Sequence, residues 1–340
     1  MSRAFQRFSC SGGCSVEFGF SLPGRGPLAT PDVVLKMATK ADELRYSSLF
    51  VTDHVVLPVS AARSTYPYSP SGQFPGGAQQ DYLEPLTVMG WLAHATRKIR
   101  LGTSVLVVPY RNPLLAAKML ATLDVLSGGR VILGIGVGWL AEEFEALKAP
   151  AFESRGAVTD EYVALMRRAW TTDPVTFEGR HYDVKDIHAL PKPRQAGGIP
   201  IWVGGHTDAA VRRAARLGDG WHPIGMRPPA MLLPDEYAAT VERLKGYARQ
   251  AGRDPASITL TLRVPMLVRS PRAKAPGGDR PLFQGQASEV RADIERYAGL
   301  GVSHFVFDAP VPEPKEVLQN MERFAGEVRG KIRLPRPRSR

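Results

Sequence analysis

VILGIGVGW, the stretch from Val131 to Trp139, carries an apolar run into three glycines at alternate positions. Glycines in this place are typical of a dinucleotide-binding fold, where a G-x-G-x-x-G turn joins the first strand of a doubly wound sheet to a helix. They are equally compatible with one strand of a closed barrel and its exit loop. The order of elements along the chain distinguishes these two folds.

The chain contains eight strand-like runs, and segments with helical spacing lie between them. The runs begin at Val16, Ser47, Ile99, Arg130, Ile199, Asp219, Ser257 and Val302. Helix starts are recognisable as well, for example Thr30-Pro31, with Thr as N-cap and Pro at the first helical position. Eight alternating units without a break in composition predict a single α/β domain, a (β/α)8 barrel of the TIM type.

VILGIGVGW belongs to the fourth of these strands rather than the first, and its glycine spacing is G-x-G-x-G. The next helix is predicted about twenty residues later, from Thr159 to Thr171. Both features fail the requirements of the dinucleotide motif. We therefore assign the glycines to a barrel strand and its exit loop. After Pro113 a further helix is predicted from the spacing of apolar side chains at Leu115, Met119, Leu123 and Leu126.

The chain has 340 residues, of which 44% are hydrophobic and 23% charged, as expected of a globular protein with a sizeable core. We divide it into a flexible extension (1–15), the barrel (16–328) and a basic, disordered tail (329–340). The cysteines Cys10 and Cys14 lie in the extension, and one C-x-x-x-C pair makes neither a disulfide framework nor a zinc site.

The net charge of +11 is concentrated in the tail, which has six basic and no acidic residues. Basic and aromatic residues are not interleaved elsewhere in the sequence, so we expect no nucleic-acid partner. The modest surplus on the barrel is compatible with an anionic small molecule. The sequence also has no apolar run long enough for a membrane span and no signal peptide, which predicts a cytoplasmic protein without a membrane partner.

Barrel enzymes build their sites at the C-terminal ends of the strands. In chain order these positions hold Asp53 and His54, Ser104 and Val105, Gly136, Gly138, Trp139 and Glu142, Gly204, Gly205 and His206, Trp221 and His222, Arg263, and Asp308. The long segments His54–Tyr82 and Val264–Gln286 leave the same face and are predicted to be substrate lids. Tyr66, Tyr68 and Phe74 in the first lid suggest an apolar or aromatic substrate pocket, although tyrosines in a loop can also serve loop packing.

His54 is the strongest catalytic candidate, because an imidazole beside Asp53 at a strand end can exchange protons near neutral pH. His222 and His206 are weaker candidates. Trp139 and Trp221 can belong to the core or form the wall of an aromatic cofactor site. The sequence contains no H-E-x-x-H motif, acidic cluster or G-x-S-x-G, so we expect neither a metal site nor a serine hydrolase.

WVGGHTDAA, from Trp202 to Ala210, predicts an anion site. Gly204-Gly205 lets the backbone approach a ligand, and Thr207 opens a helix whose free N–H groups and positive dipole end favour a phosphate. A tight turn with a capping Thr is the alternative interpretation.

Three segments together resemble the bacterial-luciferase-like monooxygenase superfamily, in its branch dependent on the deazaflavin coenzyme F-420. They are LFVTDHVVLP, RLGTSVLVVPYRNPLLAAKMLATLDVLSGGRVILGIGVGW and IPIWVGGHTDAAVRRAARLGDGW. The resemblance covers about Val16 to Val328. It implies a barrel with the cofactor ring at the C-terminal mouth and a non-prolyl cis peptide at Ser104-Val105 against the ring. It also implies that Asp53-His54 lie near the reacting edge and that Val203 to Gly205 and the next helix start contact the cofactor.

The resemblance has one departure. Where sugar-phosphate dehydrogenases of this branch have a catalytic glutamate the chain has Trp139, and Glu142 stands where they have a cofactor-contacting asparagine. A glucose-6-phosphate dehydrogenase is therefore not expected, and the role of proton partner falls to His54, with His222 as a second candidate.

Three functions stay open from the sequence. The first is an F-420-dependent oxidoreductase that transfers a hydride between the deazaflavin and a small organic substrate. The second is a monooxygenase using reduced FMN, which needs a reductase partner. The third is a flavin- or deazaflavin-binding protein without turnover. We expect cofactor contacts from Ser104, Val105, Gly138, Trp139, Glu142 and the segment 203–207, and substrate contacts from Trp221, His222 and Tyr66. Homodimers are common among the relatives that the resemblance implies.

Overall fold

The computed structural model describes residues 16–270 and 280–334. The nine strands of the barrel sheet are β1 (Glu17–Ser21), β2 (Ser48–Val51), β3 (Arg100–Thr103), β4 (Leu106–Val107), β5 (Val131–Gly136), β8 (Ile201–Gly204), β9 (Gly220–His222), β10 (Thr259–Pro265) and β13 (His304–Asp308). Two further pairs of short strands lie outside this sheet. They are β6 (Val175–Phe177) with β7 (Val184–Ile187), and β11 (Leu267–Val268) with β12 (Gln284–Gly285). The helices are α1 (Pro31–Glu43), α2 (Pro85–Ala95), α3 (Pro113–Ser127), α4 (Ala141–Ala146), α5 (Arg155–Thr171), α6 (Asp208–Leu217), α7 (Pro234–Gln250), α8 (Ala287–Gly299) and α9 (Pro314–Arg323).

The strands close into a parallel barrel, which confirms the predicted fold. The order is β3-β2-β1-β13-β10-β9-β8-β5, and a further pairing of β3 with β5 closes the ring. Each junction is parallel, from Gly19 beside Ser48 to Leu101 beside Val131. Parallel closure places all strand C-termini at one mouth, where the site residues were expected.

The glycines of VILGIGVGW serve the packing of neighbouring strands. A Cβ on Gly134 would collide with the carbonyl oxygen of Thr103, and one on Gly136 would lie 2.5 Å from Cγ2 of Val105. Gly138 has a φ of +85°, in the region that only glycine adopts at low cost. The sequence therefore has glycine here because β5 lies against the Thr103–Val105 segment, and the barrel interpretation of the motif is confirmed.

Three local features differ from the expectations. The short helix α4 begins five residues after Gly136, so the next helix follows much sooner than predicted. The excursion before β8 contains the antiparallel hairpin of β6 and β7. Of the four apolar residues expected on one face of α3, Leu123 is buried, whereas Leu115, Met119 and Leu126 are exposed.

The interior of the barrel is filled by layers of inward side chains. The middle layer is apolar and consists of Phe50, Ile132, Trp202 and Val306. Below this layer His304 is hydrogen-bonded to the Ser48 hydroxyl and donates to the carboxylate of Glu17. Arg100 forms an ion pair with the same carboxylate. Burial opposes ionisation of Glu17, but the hydrogen bond from His304 and the charge of Arg100 outweigh it and lower the pKa to about 2. The lower layers are therefore structural.

The first residues of the predicted tail are ordered. Arg329–Lys331 forms a 3-10 turn, the Arg329 guanidinium donates to the carbonyl of Leu44, and Ile332 is buried. Their packing against the end of α1 extends the barrel domain beyond the expected boundary at 328. The extension with Cys10 and Cys14 lies outside the described residues, as does 335–340. Among the helices of the described ranges, we find none with the length and apolar character needed to cross a membrane.

Candidate active site

His54 lies at the mouth of the barrel and is held by a carboxylate that sequence reasoning missed. Its Nδ1 is 2.6 Å from Oε2 of Glu143, in the short helix α4. Glu143 is completely buried, and His54 is 6% exposed. The hydroxyl of Tyr110 donates to the same oxygen over 2.9 Å, and the N–H groups of Val55 and Val56 donate to Oε1.

Aromatic side chains surround the His54 ring. Phe74, Tyr82 and Trp139 contact it edge-on, with centroid distances of 5.2, 5.1 and 5.9 Å. Tyr66 packs on both Phe74 and Trp139 at 5.2 Å. Rings from the lid 54–82 and from the loop after β5 therefore pack on one another and on His54 at the mouth.

Tyr68 and Tyr82 of the same lid are half-buried, and burial raises the pKa of each phenol to about 12. The Tyr82 hydroxyl donates to Oγ1 of Thr52 over 2.6 Å. Both phenols are accordingly neutral hydrogen-bond donors at neutral pH.

Asp53, expected to be catalytic with His54, points to different partners. Its two oxygens accept a fork of hydrogen bonds from Arg111 over 2.7 and 2.9 Å, and the N–H of Val107 donates to one of them. Arg111 also pairs with Glu84 at 2.9 Å. In the structure Asp53 therefore fixes β4 and the following turn, because three hydrogen bonds tie its carboxylate to Val107 and Arg111 and none to His54.

Glu142, expected at the cofactor, is likewise engaged by the lid. Its carboxylate accepts from the N–H of Arg63 over 2.8 Å and from the hydroxyl of Ser64 over 2.6 Å. Arg63 also pairs with Glu145 on the same helix at 2.6 Å. Helix α4 therefore holds the tip of the lid with Glu142 and Glu145 and the base of the lid with Glu143.

The uppermost layer inside the barrel is polar and includes Ser104. The peptide Ser104–Val105 is cis, as expected. Oγ of Ser104 is 2.8 Å from Nε2 of His222, and Nδ1 of His222 is 2.7 Å from the hydroxyl of Thr261. The Arg263 guanidinium donates to the carbonyl oxygen of Ser104 over 2.6 Å and pairs with Asp308 at 2.8 Å.

His222 and Trp221 are adjacent on β9, but their side chains have different surroundings. His222 is 1% exposed, and burial together with the charge of Arg263 lowers its pKa to about 3, so its ring is neutral. Trp221 points out of the barrel, where its indole N–H donates to the carbonyl of Gly205 and its ring packs on Tyr237 at 5.2 Å. The structure thus places Trp221 in the core beside α7 and His222 beneath Ser104, away from the aromatic residues around His54.

The predicted anion site has the expected backbone. Gly205 has a φ of +90°, and the Thr207 side chain caps α6 by accepting from the N–H of Ala210. The N–H groups of Asp208 and Ala209, in the first turn, have no acceptor within the helix. Val203 is buried between the sheet and the helices, so only its backbone can reach a ligand.

Beside this turn lies a cavity of about 310 Å³ between the loop after β9 and α7. His206 lines it with Glu236 and Arg243. Nδ1 of His206 is buried without a hydrogen-bond partner among the described residues, and burial lowers the pKa of the ring. His206 is therefore a neutral side chain at the edge of the predicted anion site.

The structure brings together His54, Trp139 and Tyr66 at the mouth, and Ser104 with His222 one layer deeper. The methyl groups of Val105 lie against Gly136 and Gly204, at the ends of β5 and β8. Sequence reasoning missed Glu143. The sequence alone did not distinguish it from the adjacent Glu142, because the structure decides which of the two faces the interior.

The sequence profile of the luciferase-like monooxygenase family matches residues 16–304, and the chain belongs to this family. An F-420-dependent glucose-6-phosphate dehydrogenase of Intrasporangium calvum is 34% identical over 88% of this chain and 94% of that protein.

Solved structures share the fold. A monooxygenase from Streptomyces bottropensis has a TM-score of 0.73 at 24% identity and covers 92% of this chain and 98% of its own. An F-420-dependent secondary alcohol dehydrogenase, in complex with an F-420–acetone adduct, also has a TM-score of 0.73, at 20% identity, and covers 94% and 99%.

Proposed function

We propose that this protein is an F-420-dependent oxidoreductase that transfers a hydride between the deazaflavin and a small organic substrate. The observation that carries the proposal is the environment of His54, a buried imidazole held by a carboxylate at the mouth of the barrel. Similarity to an F-420-dependent dehydrogenase over most of the chain supports the choice of cofactor.

The residues at the mouth fit such a cofactor. Gly205 and the free N–H groups at the start of α6 suit a phosphate. Val105 and Trp139 present apolar surface to a planar ring, which His54 can approach from the lid side. When bound, the deazaflavin supplies the hydride chemistry, in which two electrons and one hydrogen nucleus move to or from a carbon atom of the substrate.

His54 supplies the accompanying proton transfer. When a substrate hydroxyl is oxidised, Nε2 accepts the hydroxyl proton while the hydride leaves the carbon. In the reverse direction Nε2 returns the proton to the carbonyl oxygen. The aromatic side chains of Phe74, Tyr82 and Trp139 pack edge-on around the ring that makes this exchange and hold it in place.

The aromatic lining also bears on the substrate. Tyr66, Phe74 and Trp139 form a continuous ring surface beside His54. Such a surface binds an apolar or ring-containing body better than a polyhydroxylated sugar. We therefore propose a small apolar substrate and not a sugar phosphate, in keeping with Trp139 standing in place of a glutamate.

The test compares the two candidate chemistries in one panel. The protein is incubated with reduced or oxidised F-420 and a set of alcohols, ketones and enones, while cofactor absorbance and dissolved oxygen are recorded. The proposal predicts cofactor turnover without oxygen uptake. Oxygen uptake with reduced FMN and a reductase would identify a monooxygenase instead. Binding of F-420 without turnover of any compound would favour a carrier protein.

We further propose that the protein is a homodimer joined through α2 and α3. Among the exposed residues of these two helices only Lys118 is charged at neutral pH. The exposed residues are Thr87, Gly90, Trp91, His94, Leu115, Lys118, Met119, Val125 and Leu126. Two copies with a net charge of +11 repel each other, so a face with few charges suits their contact.

Light scattering after gel filtration tests the dimer. The wild type is expected at twice the chain mass of 37.1 kDa. Leu126→Asp places a charge on this face at its most exposed apolar residue and is expected to give monomers. Leu233→Asp, at an exposed apolar residue before α7, is the matched control and should leave the mass unchanged. A monomeric wild type, or a dimeric Leu126→Asp protein, would contradict this assignment.

A further inference from the structure

We propose that Glu143 is a positioning residue that fixes the tautomer of His54, with the hydrogen on Nδ1, so that Nε2 is the atom that exchanges the proton. This inference rests on the proposed function, in which His54 is the proton partner. No part of it needs the identity of the substrate.

Three hydrogen-bond donors besides His54 surround the Glu143 carboxylate. Two backbone N–H groups, from Val55 and Val56, donate to Oε1 over 2.7 and 3.2 Å. The Tyr110 hydroxyl donates to Oε2 over 2.9 Å. Backbone amides can only donate, so Oε1 is an acceptor. An ionised carboxylate has acceptor sites for all of these donors and for a further one from His54.

A short hydrogen bond joins Glu143 to His54. The separation of 2.6 Å between Nδ1 and Oε2 requires one hydrogen on that line. An ionised carboxylate has none to give, so Nδ1 carries it. In the neutral imidazole Nε2 is then the acceptor, and in the cation Nε2 carries the exchangeable proton.

Tyr110 secures this arrangement. Burial, followed by the adjacent charge of Glu143, raises the pKa of the Tyr110 phenol well above its ordinary value. The hydroxyl therefore stays protonated and remains a donor to Oε2. The ring of Tyr110 packs on Phe144 at 5.0 Å, which fixes the direction of the hydroxyl.

The remaining nitrogen has a different environment. Nε2 of His54 has no hydrogen-bond partner among the described residues. This nitrogen is not fully buried, so solvent reaches it. It lies in the ring of aromatic side chains formed by Phe74, Tyr82 and Trp139. The free nitrogen is thus at the mouth, and the hydrogen-bonded one is on the side of α4.

The tautomer can be measured directly in the cofactor-free wild type. Two-bond ¹⁵N–¹H correlation spectra of protein labelled at histidine distinguish a protonated Nδ1 from a protonated Nε2. His54→Asn identifies the His54 signals by their loss. We expect Nδ1–H for His54 in the neutral ring. Nε2–H would overturn the proposal, whatever the protein catalyses.

Glu143→Gln is the variant that separates positioning from simple packing. A glutamine has one oxygen, which cannot accept from both the two backbone N–H groups and from His54. If the amide nitrogen faces His54 it donates to Nδ1 and moves the ring hydrogen to Nε2. We expect the His54 signals to report this change and kcat to fall by about 10²–10⁴, the usual contribution of general acid–base catalysis, with the Kd for oxidised F-420 within about twofold.

Glu161→Gln is the matched control. Glu161 also accepts from three backbone N–H groups, those of Arg180, His181 and Tyr182, but lies on α5 away from the mouth. It should leave kcat per folded molecule and the His54 spectrum unchanged. Equal losses of kcat in both glutamine variants would make Glu143 a structural residue only and overturn the proposal.

Tyr110→Phe covers the case in which Glu143→Gln does not fold. It removes one donor from Oε2 and keeps the His54 contact, so Nδ1–H should persist and kcat should change less than tenfold. A switch to Nε2–H in this variant would contradict the donor count. If wild-type His54 is Nδ1–H but His54→Asn turns over normally, the proposed function fails while the tautomer assignment stands.

Discussion

His54 and His222 are both buried histidines near the C-terminal end of the barrel, but their surroundings are opposite. His54 is on a loop, with a carboxylate on Nδ1 and aromatic edges around it. His222 is on strand β9, with hydroxyl groups of Ser104 and Thr261 on its two nitrogens and the Arg263 guanidinium nearby. A carboxylate stabilises an imidazolium, whereas an arginine opposes it.

The difference assigns separate tasks to the two regions. The loop-built mouth can accommodate a charge that appears during a reaction, because Glu143 is in place to balance it. The strand-built layer under Ser104 holds a neutral ring at neutral pH and serves to fix the backbone that faces the mouth. We therefore propose that proton transfer belongs to His54 and that His222 is a structural neighbour of the proposed cofactor site.

The largest expected effect distinguishes these histidines. His54→Asn should lower kcat by about 10²–10⁴, the usual contribution of a general acid or base, and leave the Kd for F-420 within a few-fold. His222→Asn should lower kcat far less, since its ring does not exchange protons. Steady-state kinetics with one shared substrate provide the measurement. Equal losses of kcat in the two variants would remove the distinction between mouth and interior.

Asp53 offers the next largest effect, this time on stability. Asp53→Asn leaves the half-buried Arg111 with Glu84 alone, and loss of one partner of an ion pair whose carboxylate is buried costs about 3 kcal/mol. Urea denaturation measures the loss. Glu242→Gln, which breaks an exposed pair with Lys245, is the control and should change stability little.

Turnover per folded molecule decides what Asp53 does. The scaffold role predicts that Asp53→Asn retains much more activity than His54→Asn at a temperature where both are folded. A variant that is as stable as the wild type but inactive would instead make Asp53 a catalytic partner of His54.

The smallest effect concerns pH. The pKa of His222 is about 3 in the folded protein, against about 6.5 in an unfolded chain, so the unfolded state binds more protons between these values. Stability should therefore fall as pH drops below about 6.5. His304 and His206, whose pKa values are also lowered by burial, act in the same direction.

Each such histidine contributes at most about 1.4 kcal/mol per pH unit. Thermal unfolding of the wild type and of His222→Asn between pH 7 and pH 5 measures the contribution of His222. The variant should show a smaller loss of stability over this interval, in which carboxylates are still ionised. Identical pH dependence of the two proteins would contradict a neutral, buried His222.

Comparison of the two regions also shows what the sequence could predict. Strands follow from apolar runs, and the position of a residue at a strand end follows from the run itself, so the barrel, the mouth and the place of His54 were predictable. The cis peptide at Ser104–Val105 was expected from family resemblance, and the glycines of VILGIGVGW are explained by contacts with that segment.

Contacts made by loops were harder to predict. Glu142 and Glu143 are adjacent and of one type, and only the direction of α4 decides that Glu143 faces His54 while Glu142 faces the lid. Asp53 is adjacent to His54, but its carboxylate forms an ion pair with Arg111, nearly sixty residues later in the chain. The alternation of Trp221 and His222 on β9 sends one side chain outward and the other inward, a distinction that depends on where the barrel axis lies.

The most direct test of the central claim, that this barrel mouth is built for a deazaflavin, is a pair of titrations. The protein is titrated with oxidised F-420 and, side by side, with oxidised and reduced FMN, and tryptophan fluorescence is followed, with Trp139→Phe as the reporter control. The account predicts tight binding of F-420 and weak binding of FMN, with most of the quenching lost in Trp139→Phe. Preferential binding of reduced FMN would contradict it and assign the protein to the oxygen-using members of its family.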